Sequence, residues 1–229
     1  MRKEDIFVPM DAEWQTNGKW IVGNLPPQYD LNIVEGLGCG PSGRLDHGYY
    51  LYHYASLLPD NSRIVEIGTA AGSTAICMGM GIRGKDSIIL TIDPGSMSDE
   101  EIQNRKHELD EYGIFRFTFD QIMKSVRAAK LEGYIIPIPD TSENVLKRWD
   151  GRHIDMLFVD GSHTYKDVKT DCQWMQYVRK GGIAVFDDWM EPVERAVREY
   201  VASHPEWELL TSSTAQPPKH PWKTVFWRN

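Results

Sequence analysis

From Arg44 onward the chain alternates short apolar runs with amphipathic segments, the pattern of a parallel βαβ sheet. The segment RLDHGYYLYHYASLLP places Leu45, Tyr49, Tyr52 and Leu57-Leu58 at helical spacing and stops at Pro59, which predicts a helix leading into the first strand. RIVEIG, SIILTID, YIIPI, IDMLFV and IAVFDD then read as strands. STAICMGMGI is the helix between the first two, and YKDVKTDCQWMQYVRK the helix between the last two, opened by Thr164 and Asp167 at capping-box spacing and stopped by Gly181-Gly182. Beyond the helix PVERAVREYVASH, the runs WELLTSS and KTVFWRN are joined by a Pro-rich connection too short for a crossover helix, so this pair is expected to be antiparallel. The fold class that follows is α/β: a Rossmann-like three-layer sandwich with a mostly parallel seven-stranded sheet and an antiparallel last strand.

Two stretches lie outside this rhythm. Residues 1–43 mix charges, Pro26-Pro27 and glycines without sustained periodicity and read as an N-terminal arm, serving as a lid or as a contact in a homo-oligomer, in front of a domain at 44–229. The connection from Asp93 to Tyr134 is long for a crossover. Ser98 with Glu101 at capping-box spacing and the periodic segments EEIQNRKHELDEY and FDQIMKSVRAAKL predict two helices there, placed to cover the crevice.

Composition narrows the class of partner. With 229 residues, 41% hydrophobic and 11% aromatic, the chain can bury a full-sized core. A net charge of −8 gives no footprint for nucleic acid or an anionic membrane, so a small molecule is the expected partner. Cys39, Cys77 and Cys172 form no even disulfide set and no CxxC pair. The amino terminus has no apolar signal core, and no window reaches the eighteen or so apolar residues of a membrane span. A cytoplasmic protein with reduced thiols is expected.

Candidate chemistry gathers at strand ends, where open α/β sheets bind ligands. Glu66-Ile67-Gly68-Thr69-Ala70-Ala71-Gly72-Ser73-Thr74 joins a strand to a helix, where small residues let the backbone approach a ligand and helix N–H groups meet an anion. A tight turn that needs glycine for geometry alone is the plainer alternative. Alanine at position 70 departs from the G-x-G-x-x-G fingerprint, which disfavours NAD without excluding it. Asp93, at the end of the second strand, suits ribose hydroxyls, a feature NAD and S-adenosylmethionine share. Asp160 and the pair Asp187-Asp188 end two further strands, and His163 follows Asp160 by three residues. Hard oxygen donors of this kind suit Mg²⁺, whereas turn and cap roles for the same aspartates are the structural alternative. His163 precedes the cap Thr164, outside the helix, and a neutral imidazole there can take a hydroxyl proton. His47 and His53, six apart, lack the spacing of a zinc pair on one helix face. Trp189 reads as a wall of the acceptor pocket or as core.

VEIGTAAGST, LTIDP, IPDTSE, FVDGSHTY and VFDDW, in that order and followed by the terminal strand pair, resemble a class I S-adenosylmethionine-dependent methyltransferase over about residues 44–229. Within that superfamily, Asp-Gly-Ser-His followed by Asp-Asp is similar to the metal-dependent macrocin O-methyltransferase and cephalosporin-hydroxylase-associated group. The resemblance implies that Glu66, Gly68, Gly72 and Ser73 line the methionine part of S-adenosylmethionine, that Asp93 takes the ribose, that Asp140 with Thr141 or Ser142 borders the adenine, and that Asp160 also lies against the cofactor. It further implies Mg²⁺ on Asp160, Asp187 and Asp188, with His163 as base. The function expected is Mg-dependent O-methyl transfer to a hydroxylated small molecule, a sugar diol or catechol-like compound of natural-product metabolism. An NAD-linked oxidoreductase and a non-catalytic S-adenosylmethionine-binding accessory protein are the alternatives. The arm and the 94–133 connection match no pattern of that group.

Overall fold

In a computed structural model, residues 1–6, 12–14, 20–22, 33, 44–70, 72–95, 119–213 and 223–229 are described. The elements run β1 (Ala12–Trp14), β2 (Trp20–Val22), α1 (Arg44–Ser56), β3 (Arg63–Ile67), α2 (Ser73–Gly81), β4 (Ile88–Ile92), α3 (Phe119–Ala128), β5 (Ile135–Ile138), α4 (Ser142–Lys147), β6 (Ile154–Val159), α5 (Tyr165–Asp171), β7 (Val178–Asp187), α6 (Val193–Ala202), β8 (Trp207–Ser213) and β9 (Lys223–Arg228). β1 and β2 form an antiparallel hairpin. The other seven strands form one sheet in the order β5-β4-β3-β6-β7-β9-β8. Five are parallel, and β9 runs antiparallel to both β7 and β8.

Period-two alternation sends neighbouring residues of each strand to opposite faces. Ile64, Ile89, Met156, Ile183 and Val225 share one core with α1, α2 and α3. Val65, Leu157, Ala184 and Phe226 share the other with α5 and α6. Three layers result. At the centre, every residue of β6 is buried, as expected of a parallel strand covered on both faces. Its one carboxylate, Asp155, accepts Arg63 N at 2.8 Å and pairs with Arg179.

The structure shortens the expected helix after β6. α5 stops at Asp171, a 3-10 turn covers Cys172–Tyr177, and β7 already begins at Val178, so Gly181 and Gly182 lie inside a strand rather than at a helix stop. The reason is local. Pairing with β6 slips between Ile154 and Met156, and a Cβ on Gly182 would sit 2.8 Å from Asp155 O, so the glycines accommodate a bulge. α4, capped by Thr141, was not anticipated. Of the two helices expected in the long connection, the second is α3, while EEIQNRKHELDEY and the Ser98 cap lie outside the described residues. Most of the 1–43 segment also lies outside them, but its start is anchored: Ile6 is fully buried in the core, and Lys3 Nζ pairs with Glu208 at 2.5 Å. No described helix is long and apolar enough to cross a membrane.

Candidate active site

β3 is the strand from which the chain first steps outward to β4 and β5 and then returns to its other side as β6. Such a switch point opens a crevice at the carboxyl ends of the strands. The turn after β3 enters that crevice with Gly68 at φ +87°, Ala70 at φ +45° and Gly72 at φ +89°, a left-handed series that favours glycine. For Gly68 the packing is as demanding as the torsion: a Cβ there would collide with Asp160 O and lie 2.7 Å from Gly161 Cα. Gly72, by contrast, has room, the nearest atom being Ile122 Cγ2 at 3.7 Å.

Asp93 holds this turn in place. Its Oδ2 accepts the backbone N–H of Thr69 and of Ala70, each at 2.9 Å, and its Oδ1 accepts Gly95 N at 2.7 Å. A carboxylate offers about four lone-pair sites, so three amides leave room for a ligand hydroxyl. Glu66 lies fully buried beneath the turn, where it accepts Thr74 Oγ1 at 2.6 Å and Thr91 Oγ1, which also meets Thr69 Oγ1. It fixes the turn from below. Next to Asp93 a cavity of about 140 Å³ is lined by Pro94, Phe119, Ile122, Ile138 and Pro139 among others. Past β5, Asp140 Oδ1 accepts Thr141 N at 2.8 Å and Asn144 Nδ2 at 2.9 Å, and Oδ2 pairs with Arg148 at 2.6 Å. The hydrogen bonds from Asn144 and Arg148 hold its carboxyl below the usual range. Thr141 Oγ1 caps α4 by accepting Asn144 N at 3.2 Å, and Ser142 Oγ turns inward to donate to Asp171 Oδ1.

Across Gly68 lie the acids. Asp160 extends β6 by donating its N–H to Ile67 O at 2.8 Å, so its turn is pinned to β3. His163 Nε2 lies 3.3 Å from Asp188 Oδ2 and 3.9 Å from Asp160 Oδ1. It is covered from solvent yet aligned with neither as a hydrogen bond. The three residues thus come together. Asp187 is the last paired residue of β7, opposite Lys223, and is buried, whereas Asp188 has left the strand with φ +44°. Among the described residues no group of three His, Cys, Asp or Glu side chains is arranged to hold an ion. The two carboxylates are oxygen donors of the kind a hard cation takes, whereas the imidazole beside them is not.

Other expectations resolve simply. Trp189 is core, packed on Phe226 beneath the Arg198 guanidinium. His53 Nε2 meets Asp5 O at 3.0 Å, and the His47 side chain lies outside the described set. Cys77 and Cys172 are buried free thiols. Reading by strand ends overlooked the threonine pair under the turn, the cavity wall at Phe119 and the buried Asp171.

Residues 65–189, more than half of the chain, match a family described as a methyltransferase domain. The chain belongs to this methyltransferase family. It is 32% identical over 149 residues to the uncharacterized protein R132 of Acanthamoeba polyphaga mimivirus, a match covering 62% of this chain and 61% of that one, so it spans less than two thirds of that relative. Its fold is similar to that of the O-methyltransferase from Bacillus cereus in complex with SAH (TM-score 0.62, 13% identity, 86% and 90% of the two chains). It is equally similar to TomG from Streptomyces achromogenes, an O-methyltransferase involved in tomaymycin synthesis, in complex with SAM (TM-score 0.62, 16% identity, 87% and 91%). At these identities the likeness is one of fold, and the seven-stranded sheet with its reversed last strand is the shared architecture.

Proposed function

We propose that this methyltransferase moves a methyl group from S-adenosylmethionine to a hydroxyl of a small molecule. The observation that carries the reading is the contact of Gly68 with the Asp160 backbone, which sets a nucleotide-type turn directly against an acid and imidazole cluster. On this reading Asp93 takes the ribose, Asp140 with Thr141 or Ser142 borders the adenine in the cavity beside it, and Gly68, Gly72 and Ser73 approach the methionyl end. Glu66 acts from beneath.

The acceptor hydroxyl then lies at Asp160, His163 and Asp188. His163 Nε2 takes its proton. The oxygen attacks the methyl carbon, the carbon–sulfur bond breaks with its electron pair going to sulfur, and S-adenosylhomocysteine leaves. Holding both reactants in line supplies much of the rate. Mg²⁺ would add Lewis-acid stabilisation of the acceptor oxyanion. Asp160, Asp187 and Asp188 are the oxygen donors that would hold it, and an acceptor with two neighbouring oxygens, a sugar diol or catechol, suits such a site. TomG, with the same fold and a role in tomaymycin synthesis, favours a natural-product acceptor. The 3.3 Å approach of His163 to Asp188 supports a second reading in which this pair deprotonates the acceptor without an ion.

Calorimetry with S-adenosylmethionine and NADH, followed by methyl transfer to a panel of catechols and sugars with and without chelator, tests all of this. Binding of S-adenosylmethionine with chelator-sensitive transfer is expected. Full activity in chelator selects the second reading, and binding of NADH alone overturns the proposal.

A further inference from the structure

Asp171 is a carboxylate that the proposed chemistry does not use. It is 2% exposed on the last turn of α5, where its Oδ1 accepts Ser142 Oγ and its Oδ2 lies 3.9 Å from the position a Cβ on Gly161 would take. A buried carboxylate with one neutral donor is an expensive choice, since an amide or an apolar side chain of that size avoids the desolvation of a charge. Burial, with Asp167 one turn earlier pushing the same way, raises its carboxyl to about 7. What the position gains is reach. The same side chain touches the turn at Ser142, which follows β5, and underlies the turn at Gly161, which follows β6.

We infer that Asp171 is a positioning residue that ties the adenosine-side turn at Thr141 and Ser142 to the acid-bearing turn at Asp160 and Gly161, holding cofactor and acceptor sites in one register. The inference rests on the proposed reading of those two turns. Three features agree with it. Ser142 is the first residue of α4 and turns its hydroxyl inward, so the bond sets where that helix begins. Gly161 leaves no room for a side chain, because a Cβ there would come within 3.2 Å of Ile67 Cγ2 and face Asp171 as well. And Asp160 N is bonded to Ile67 O, so a shift of Gly161 would be felt at the acid itself.

Hydrogen exchange of the ligand-free protein, with calorimetry of S-adenosylhomocysteine, tests it on Ser142→Ala, Asp171→Leu and Asp171→Asn. Losing the bond should speed exchange at amides 160–162, remote in sequence from Ser142, and weaken S-adenosylhomocysteine about tenfold, the effect of one hydrogen bond, whereas Asp171→Asn, which can still accept from Ser142, should stay within about threefold of wild type. Should Asp171→Leu fail to fold, Ser142→Ala alone decides. Wild-type exchange and affinity in Ser142→Ala, or an Asp171→Asn protein as impaired as Asp171→Leu, overturns the inference. A wild-type protein that does not bind S-adenosylhomocysteine overturns the proposed function instead and leaves the exchange result standing.

Discussion

On the glycine-turn side of the crevice, Asp93 accepts three backbone amides at 2.7–2.9 Å and Glu66 accepts two threonine hydroxyls. On the acid side, His163 approaches two carboxylates at 3.3 and 3.9 Å and is aligned with neither. The first half is completed by the protein's own groups, which fixes its shape before any ligand arrives. In the second, His163 Nε2 stands close to two carboxylates but unaligned, as the proposed base would stand until a substrate draws the groups together. On the proposed reading, binding geometry is built in on one side, and reaction geometry is left for the acceptor to finish on the other.

Gly68→Ala attacks the seam between the halves, and the largest effect is expected there. The added methyl collides with Asp160 O on a backbone at φ +87°, so a loss of more than about 3 kcal/mol of stability and loss of S-adenosylhomocysteine binding are expected. Gly72→Ala, with only a torsional penalty of about 1–2 kcal/mol, is the control. Thermal melts of the two variants that coincide would show that the seam is not what requires Gly68.

His163→Ala separates the halves functionally. Turnover should fall by roughly 10²–10⁴-fold, the range of a general base, while S-adenosylhomocysteine affinity is unchanged. Steady-state kinetics with turnover near wild type would move the proton transfer to another group.

Asp171→Asn sharpens the comparison through pH. The Asp171 carboxyl is raised from 3.8 to about 7 in the folded protein, so its contribution to stability is fully present below about pH 4, is lost as pH rises through 7, and changes little above. An asparagine cannot ionise. The variant should therefore match wild type at pH 4 and exceed it at pH 8, by at most roughly 4 kcal/mol for a shift of about three units. Denaturant titrations at the two pH values check this, and a gap that fails to widen toward pH 8 would mean that Asp171 is charged in place at little expense.

Much of this was legible in the sequence because period and punctuation report local physics. Strand-length apolar runs, a Pro stop after α1 and a short Pro-rich link between β8 and β9 lead to the seven-stranded sheet without knowledge of packing. The strand-end acids could be placed at the crevice for the same reason. What escaped depends on contacts between distant segments. Gly181 and Gly182 have the composition of a helix stop, and only the Asp155 carbonyl pressing on Gly182 makes them part of a strand. Asp187 and Asp188 look equivalent in a string, but the first is still paired in β7 while the second leaves the strand at a left-handed φ. The burial of Asp171 carries no sequence signal, because its hydrogen bond comes from Ser142, 29 positions earlier, across the fold.

The smallest expected effect is also the most balanced test of the two halves, because each carries one threonine N-cap of the same kind. Thr141 Oγ1 accepts Asn144 N at 3.2 Å at the start of α4, and Thr164 Oγ1 accepts Asp167 N at 3.2 Å at the start of α5. Removing such a cap costs about 1 kcal/mol. Thr164 has a further tie, donating to Asp167 Oδ2 at 2.8 Å, the same oxygen that Ser162 Oγ reaches at 2.7 Å, so Thr164→Ala should lie at the upper end of that range and Thr141→Ala at the lower. Their functional signatures should be opposite. Thr141→Ala disturbs the adenosine side and should raise KM for S-adenosylmethionine with kcat kept, while Thr164→Ala loosens the turn that carries His163 and should lower kcat with that KM kept. Melting temperatures verify the first statement and full kinetics the second. If both variants shift the same kinetic constant, the two halves are coupled more tightly than their separate hydrogen-bond networks imply, and the division between a prebuilt cofactor half and an acceptor-completed half fails.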